Sequence, residues 1–306
     1  MRKLICILSL TFLVPAALAQ TLRRHSTVDD LNGKGFSIYT NFEQTHDSSS
    51  NWSSVIDESV TYDFNKVFAM GVGVPFYLSF NQLNTSSITT ETTTPTQALT
   101  PTYNSIGDVR LALKFSSPTP IVRYVATITG TAPTGDTSLG LSTGRATADF
   151  NNHLEFDLGP ITPLAELGIA NSNSLINMVR RPYSTLGALS HFKGGISLPL
   201  MKSLSIEFAG YENLPIGTQK LYSHEYVKGG SGSSINAGKG NVSKIFQQAA
   251  SIIGTGFDED NGFSTALDSS LGKRLDVSLR YDHSVRQELD TFAFSVGFRI
   301  GKVRSK

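Results

Sequence analysis

T-A-D-F-N-N-H-L-E-F-D-L, residues 147–158, is the stretch that decides the fold. Alternate residues from Ala148 onward are apolar except Asn152, whereas Asp149, His153 and Glu155 belong to the other set. In an extended chain successive side chains point to opposite faces, so this segment has one apolar face and one polar face. A tilted strand needs about 9 to 11 residues to cross a bilayer. The stretch therefore predicts a membrane-spanning β-strand.

The same alternation recurs along the chain and predicts twelve strands. Their approximate bounds are 35–45, 54–64, 67–80, 106–116, 121–132, 147–158, 162–170, 183–198, 203–212, 263–271, 275–285 and 289–300. An even strand number, with short connections at one end and long ones at the other, is typical of bacterial outer-membrane barrels. We therefore expect an all-β protein: a transmembrane antiparallel up-and-down β-barrel of about 12 strands, with short periplasmic turns and long extracellular loops. A secreted soluble β-protein is the alternative, but it has no reason to keep this pattern.

The first residues of the chain predict export across the inner membrane. Arg2 and Lys3 precede an apolar core, and Ala17-Leu18-Ala19 has the small-x-small pattern of a cleavage site. These features indicate that residues 1–19 are a secretory signal peptide. A retained membrane anchor is the alternative, but it needs about 20 apolar residues, and this run is shorter.

The remainder of the chain divides into an arm and a barrel. Residues 20–34 are polar and irregular, and we expect a periplasmic arm there. Residues 35–301 form the predicted outer-membrane barrel, which carries a long loop insert at 213–262. Within the insert, apolar residues of Val242–Ile253 recur at near-helical spacing and predict a short helix.

Composition excludes several classes of function. The chain has 26 Lys and Arg against 25 Asp and Glu, and removing the predicted signal leaves 24 against 25. No basic excess points to nucleic acid. The one cysteine, Cys6, lies inside the predicted signal, so the mature chain has no disulfide, thiol nucleophile or cysteine metal site. We predict no cofactor. The expected partners are outer-membrane lipids, lipopolysaccharide and the barrel assembly machinery, with a small-molecule cargo that stays open.

Two stretches resemble a known family of outer-membrane transporters. They are I-G-D-V-R-L-A-L-K-F (106–115) and T-A-P-T-G-D-T-S-L-G-L-S-T-G (131–144). This pattern, a Gly-Asp strand followed through a second strand by a P-T-G-D loop, is similar to the family named for the "MetA-pathway of phenol degradation". The matching positions are Gly107, Asp108, Lys114, Pro133, Thr134, Gly135, Asp136, Gly140, Thr143 and Gly144. The resemblance implies a channel or carrier for small aromatic or other hydrophobic compounds. The insert at 213–262 departs from the family pattern.

The polar strand faces supply the candidate functional residues. The lumen-facing candidates are Asp108, Arg110, Lys114, Arg123, His153, Glu155, Asp157, Glu166, Lys193, Glu207, Arg280 and Arg299, together with Asp276 and Asp282. The predicted turns place Lys114 near Arg123, with Glu155 or Asp157 at the same level, and Lys193 near Glu207. Two interpretations stay open: a charge lattice that selects solutes, or mutual ion pairs that fill the barrel.

Two classes of function follow from this architecture. The first is a passive channel or transporter for small molecules, without cofactor and without enzymatic activity. The second is a barrel plugged by the insert that serves as an outer-membrane enzyme of the lipid-hydrolase kind, or as a structural protein. His153 beside Glu155 could act as a base, but its strand offers no serine at His-x-Ser spacing. The sequence favours the channel.

Overall fold

A computed structural model describes most of the predicted barrel. The described residues are 34–47, 53–83, 99–102, 105–119, 121–137, 141–176, 183–201, 203–223, 251–253, 259–272, 274–286 and 288–301. The predicted signal peptide at 1–19 and the arm up to residue 33 lie outside them.

Twelve long strands form the wall. They are β1 Gly35–Asp47, β2 Ser53–Asp63, β3 Phe68–Leu83, β4 Val109–Pro118, β5 Val122–Ala132, β6 Thr147–Phe156, β7 Thr162–Ala170, β8 Tyr183–Met201, β9 Leu204–Ser223, β10 Asp260–Leu271, β11 Leu275–Ser284 and β12 Leu289–Gly301. The deciding stretch is β6, which ends at Phe156 because Gly159, at φ +97°, and Pro160 turn the chain.

Each strand pairs antiparallel with its neighbours in the chain, and the last strand pairs with the first. Ile38 of β1 lies opposite Ile300 of β12 and also opposite Val60 of β2. The sheet therefore closes into an antiparallel barrel of 12 strands, as the sequence predicted. Closure leaves no strand edge unpaired, which is the condition for a sheet to cross a membrane.

The connections alternate in length around the barrel. Short turns at one end join β2 to β3, β4 to β5, β6 to β7, β8 to β9 and β10 to β11. At the other end four connections are longer, whereas those between β1 and β2 and between β11 and β12 are as short as the turns. We call these the turn end and the loop end. Near the loop end, Leu99–Thr102 and Ser105–Ile106 add short pairings to β3. By the barrel rule, the turn end is periplasmic and the loop end extracellular.

The outer face of the wall is apolar. Large apolar side chains stand exposed on every wall strand, among them Phe36 at 65% and Phe150 at 45%. Near the turn end, Phe36, Tyr62 and Phe64 stack in sequence, with ring centroids 4.5 and 4.8 Å apart. An exposed apolar band edged by aromatic rings is what a lipid-facing barrel surface requires. Among the described residues no helix is long and apolar enough to cross a membrane.

The segment at 213–262 differs from the predicted loop. β9 continues to Ser223 and β10 begins at Asp260, so both ends of this segment belong to the wall. Ser251–Ile253 is a short strand paired with β9, where the sequence predicted the end of a helix. That prediction is wrong for these three residues, which form backbone pairs with Gln219–Leu221 of β9. Val242 to residue 250 lie outside the described residues.

Candidate functional site

The interior face of the barrel carries the charges that the sequence pointed to. Inward-facing residues alternate with the outer apolar residues on each strand, and many are buried. The inward carboxylates of the described wall are Glu43, Asp57, Asp63, Asp149, Glu155, Glu166, Glu207, Asp260, Asp268, Asp276 and Asp282. The inward Arg and Lys residues are Arg110, Lys114, Arg123, Lys193, Arg280 and Arg299.

An ion-pair network runs along the inner face of the wall from β5 to β9. Arg123 Nη2 lies 3.2 Å from Glu155 Oε2, and Glu155 is only 1% exposed. His153 bridges two carboxylates: Nε2 is 3.1 Å from Glu155 Oε1 and Nδ1 is 2.9 Å from Glu166 Oε1. Since a carboxylate only accepts, both ring nitrogens donate, which is the pattern of an imidazolium. The charges of the network thus neutralise one another in place.

Lys193 continues this network toward β9. Its Nζ lies 2.7 Å from Glu207 Oε1 and 3.9 Å from Glu166 Oε1. The contact between Lys193 and Glu207 that the sequence suggested is therefore present. A charge taken out of water is costly unless it is paired and hydrogen-bonded. The network satisfies that condition, and it also fixes the relative positions of five neighbouring strands.

A second histidine lies nearer the loop end. His191 Nε2 is 2.8 Å from Asp149 Oδ1, and His191 is 2% exposed. The two residues lie on β8 and β6, with β7 between them. The imidazole reaches across because the β7 residue under it is Gly168, where any side chain would overlap the ring. Asp149 and His191 are not among the candidates predicted from the sequence. Asp149 belongs to the same alternating polar set of β6 as His153 and Glu155, and that pattern could have identified it.

The remaining basic candidates meet other inward groups. Arg110 pairs with Asp57 of β2. Arg280 interacts electrostatically with the carboxylates of Asp282, Glu43, Asp268 and Glu207. Asp282 lies on the same strand, β11, and the other three lie on β1, β10 and β9, so Arg280 is the cationic centre of this side of the barrel.

Arg299 makes an aromatic contact across the β1–β12 pairing. Its guanidinium lies 5.5 Å from the centroid of the Tyr39 ring, directly across from it on β1. The Tyr39 ring in turn covers Gly297, where an added Cβ would overlap the phenol. A cation over an aromatic face is electrostatically favourable, so this pair stabilises the pairing of β1 with β12 near the turn end.

Two expected positions differ in the structure. Lys114 lies opposite Thr127 and Arg123 opposite Pro118, so Lys114 is not beside Arg123. The expected pairing was wrong because β4 runs to Pro118, which shifts the register relative to a turn at 117–120. Asp157 lies beyond β6, and its Oδ1 accepts from the Gly159 backbone N–H at 3.3 Å, as part of the turn.

The residues of the P-T-G-D loop motif hold the loop end together. Asp108 Oδ1 accepts from the Gly135 N–H at 2.9 Å, and Thr134 Oγ1 accepts from the Val109 N–H at 2.9 Å. A Cβ at Gly135 would approach the Gly107 backbone at 3.0 Å. These two hydrogen bonds attach the loop after β5 to the start of β4.

The other motif positions surround this contact. Pro133 and Asp136 flank it in the same loop, and Thr143 Oγ1 donates to the Arg145 carbonyl. Gly144 has φ +67°, a conformation that favours glycine. Gly140 lies outside the described residues.

The described interior offers charged and hydrogen-bonding side chains. His153 and His191 each contact a carboxylate there, and His283 contacts Asp290 on the outer face. No group of three or more His, Cys, Asp or Glu side chains in the described part of the chain is arranged to hold a metal ion. The ion pairs hold the charged side chains in fixed positions along the inner face of the barrel wall.

Comparison with solved structures places this fold among outer-membrane barrels. The chain is similar to the COG4313 outer membrane channel from Pseudomonas putida F1, with 13% identity, a TM-score of 0.51, and coverage of 92% of this chain and 98% of that one. The NanC porin aligns with 7% identity and a TM-score of 0.47, covering 85% and 100%. The toluene transporter TodX of Pseudomonas putida aligns with 9% identity and a TM-score of 0.42, covering 94% and 93%.

Identity this low shows a shared fold and nothing finer. No protein-family model matches the sequence, and no curated protein matches it either. The resemblance of residues 106–144 to the phenol-degradation transporter family therefore stays a prediction.

Proposed function

We propose that this protein is an outer-membrane channel that lets small molecules cross passively. One observation carries the proposal: the closed wall is apolar on its outside and charged on its inside. A soluble protein buries its apolar face and exposes its charges, so the inverted arrangement suits a protein surrounded by lipid. A barrel of about 12 strands is wider than an 8-stranded barrel, whose interior is filled by side chains, and narrower than a 16-stranded porin.

The interior favours polar solutes as the cargo. Many of its side chains are ionic, amide and hydroxyl groups, which can hydrogen-bond to a hydrated solute. The family resemblance instead implies small aromatic or hydrophobic compounds. Uptake of a neutral sugar and of a phenol into liposomes containing the protein separates the two. We expect the sugar to enter faster than in protein-free liposomes; uptake of the phenol alone would favour the hydrophobic cargo.

Single-channel recording tests the channel itself. The refolded protein, inserted in a planar bilayer, should give steady unitary current in potassium chloride. A variant with residues 224–250 replaced by a short Gly-Ser linker tests the alternative in which the insert plugs the barrel. Silence that turns into current after the replacement would favour the plug. Silence in both would contradict the proposal and favour the enzyme or structural alternative.

The proposed location is the outer membrane. The fold supports it, and the predicted signal peptide would deliver the chain to the periplasm. Lipopolysaccharide at the loop end and the barrel assembly machinery are the partners we propose from that location. Separation of outer from inner membranes on a sucrose gradient, followed by blotting, tests the assignment. Recovery with the inner membrane would contradict it.

A further inference from the structure

The interior wall has more negative than positive charge. Eleven inward carboxylates face six Arg and Lys residues in the described wall, as named above. Counting both inward histidines as charged raises the positive total only to eight. Ion pairs among the groups of the described wall therefore leave a net negative charge on its inner face. Channels whose lining carries an excess of Asp and Glu attract cations and repel anions.

A second observation concerns buried oxygens on the same face. Six inward side-chain oxygens have no hydrogen-bond partner in the described part of the chain. They are Asn151 Oδ1, Asn213 Oδ1, Ser197 Oγ, Ser205 Oγ, Gln219 Oε1 and Thr291 Oγ1. Asn213 is 8% exposed, and the two serines and the threonine are more buried still. Among the described inward side chains, His191 Nδ1 is the one nitrogen that also lacks a hydrogen-bond partner. The unsatisfied atoms are therefore nearly all oxygens, the ligands that hard cations prefer.

Four of these oxygens lie directly across from a carboxylate. Register places Asn213 opposite Asp260, Ser205 opposite Asp268, Ser197 opposite Glu207 and Thr291 opposite Asp282. Directly opposed residues on one face of a sheet have Cβ atoms about 4.5 to 5.5 Å apart. Each pair therefore places a neutral oxygen beside a carboxylate in the inner wall, where the carboxylate adds to the negative potential of the lumen.

From charge and register together we infer that the lumen is selective for small cations over anions. The acidic inner wall of β8 to β12, where these four pairs lie, forms its selectivity surface. The inference rests on the proposed channel function and deepens it, because it names the charge of the preferred solute. Metal cations and protonated amines share the required chemistry: each offers positive charge to oxygen acceptors.

Asp268 is the best residue with which to test this surface. It faces inward, lies opposite Ser205, and its carboxylate is one of four that act on Arg280. Asp268→Asn removes one negative charge from the lumen and keeps the side chain's size. The matched control is Glu58→Gln, which makes the same change on the outer face, where Glu58 Oε2 accepts from Thr40 Oγ1 at 2.8 Å.

The measurement is the reversal potential across a bilayer that separates two concentrations of potassium chloride. For the unaltered protein we expect potassium to be more permeant than chloride. Asp268→Asn should lower the potassium-to-chloride permeability ratio about fivefold, because by Coulomb's law one unit charge about 8 Å away in water changes the permeability of each ion roughly twofold, in opposite directions. Glu58→Gln should leave the ratio unchanged. Replacing potassium by methylammonium then shows whether organic cations pass as well as metal ions.

Each contrary outcome has a distinct meaning. Steady current with equal permeability, or with a preference for chloride, would overturn the selectivity and leave the channel intact. Equal ratios for Asp268→Asn and the unaltered protein would overturn the assignment of this surface. Silence of the unaltered protein and of the variant lacking 224–250 would overturn the channel and the selectivity together. If Asp268→Asn lacks the heat-modifiable band of a folded barrel on a gel, Asp276→Asn replaces it with the same expected change.

Discussion

Placing a charge on the outer face of β6 should destabilise the barrel in proportion to its depth in the membrane. Phe150 faces lipid between Ile128 and Ile169 of the neighbouring strands. It lies six residues from the end of β6 at Phe156. At about 3.3 Å per residue and a tilt of about 40°, it sits roughly 15 Å above that end, near the middle of an apolar band about 25 Å tall.

The magnitude follows from that depth. Arg on the lipid face costs about 2–4 kcal/mol at the midplane and about 0–1 kcal/mol near the interface. Phe150→Arg should therefore lower the free energy of unfolding by about 1–4 kcal/mol beyond the effect of Phe156→Arg. Both variants exchange the same residue types on the same strand and face, so their difference isolates depth.

Equilibrium unfolding by guanidinium in lipid vesicles measures this difference. The single tryptophan, Trp52, provides the fluorescence signal. Equal destabilisation by Phe150→Arg and Phe156→Arg would refute the depth assignment of β6. A barrel that tolerates Phe150→Arg without loss would refute the outward orientation of Phe150 itself.

Two further predictions concern close contacts in the wall and at the loop end. Gly168→Ala should lower the free energy of unfolding by about 1–3 kcal/mol, because the new methyl group overlaps the His191 ring and lies 2.7 Å from a backbone oxygen. Gly194→Ala, where no atom lies within 4 Å of the added Cβ, should be tolerated; equal urea midpoints for the two would contradict the packing. Asp108→Ala removes the acceptor of the Gly135 N–H and should speed protease cleavage of the loop after β5, whereas an unchanged cleavage rate would show that this bond does not hold the loop.

The alternation of the sequence was sufficient to predict the barrel and most of its strand bounds. β7 begins at Thr162 and ends at Ala170, as predicted, because turn residues flank a clean alternation. β9 was predicted to end at 212, where a long loop insert was expected to begin. The strand continues because Gly217, with φ +80°, absorbs an irregularity in its pairing with β8. A single glycine that allows a bulge cannot be told from one that ends a strand by sequence alone.

The candidate site was predicted in composition but only partly in geometry. Parity along a strand assigns Lys193 and Glu207 to the interior, and one short turn brings them together. His191 and Asp149 lie on strands separated by β7, so their contact depends on the stagger between strands. That stagger is a property of the closed barrel and is not written in any one strand. The sequence therefore predicts which groups line the lumen better than which groups meet.

A cysteine scan along β6 tests the central claim of an apolar outside and a polar inside most directly. The mature chain is predicted to have no cysteine, so each variant from Ala148 to Phe156 carries one thiol, to be labelled with a polarity-sensitive dye. We expect labels at 148, 150, 154 and 156 to report lipid, with quenching by a lipid-soluble quencher. Labels at 149, 151, 153 and 155 should report a polar interior and resist that quencher. Emission without a two-residue period would contradict the barrel and every conclusion drawn from its interior.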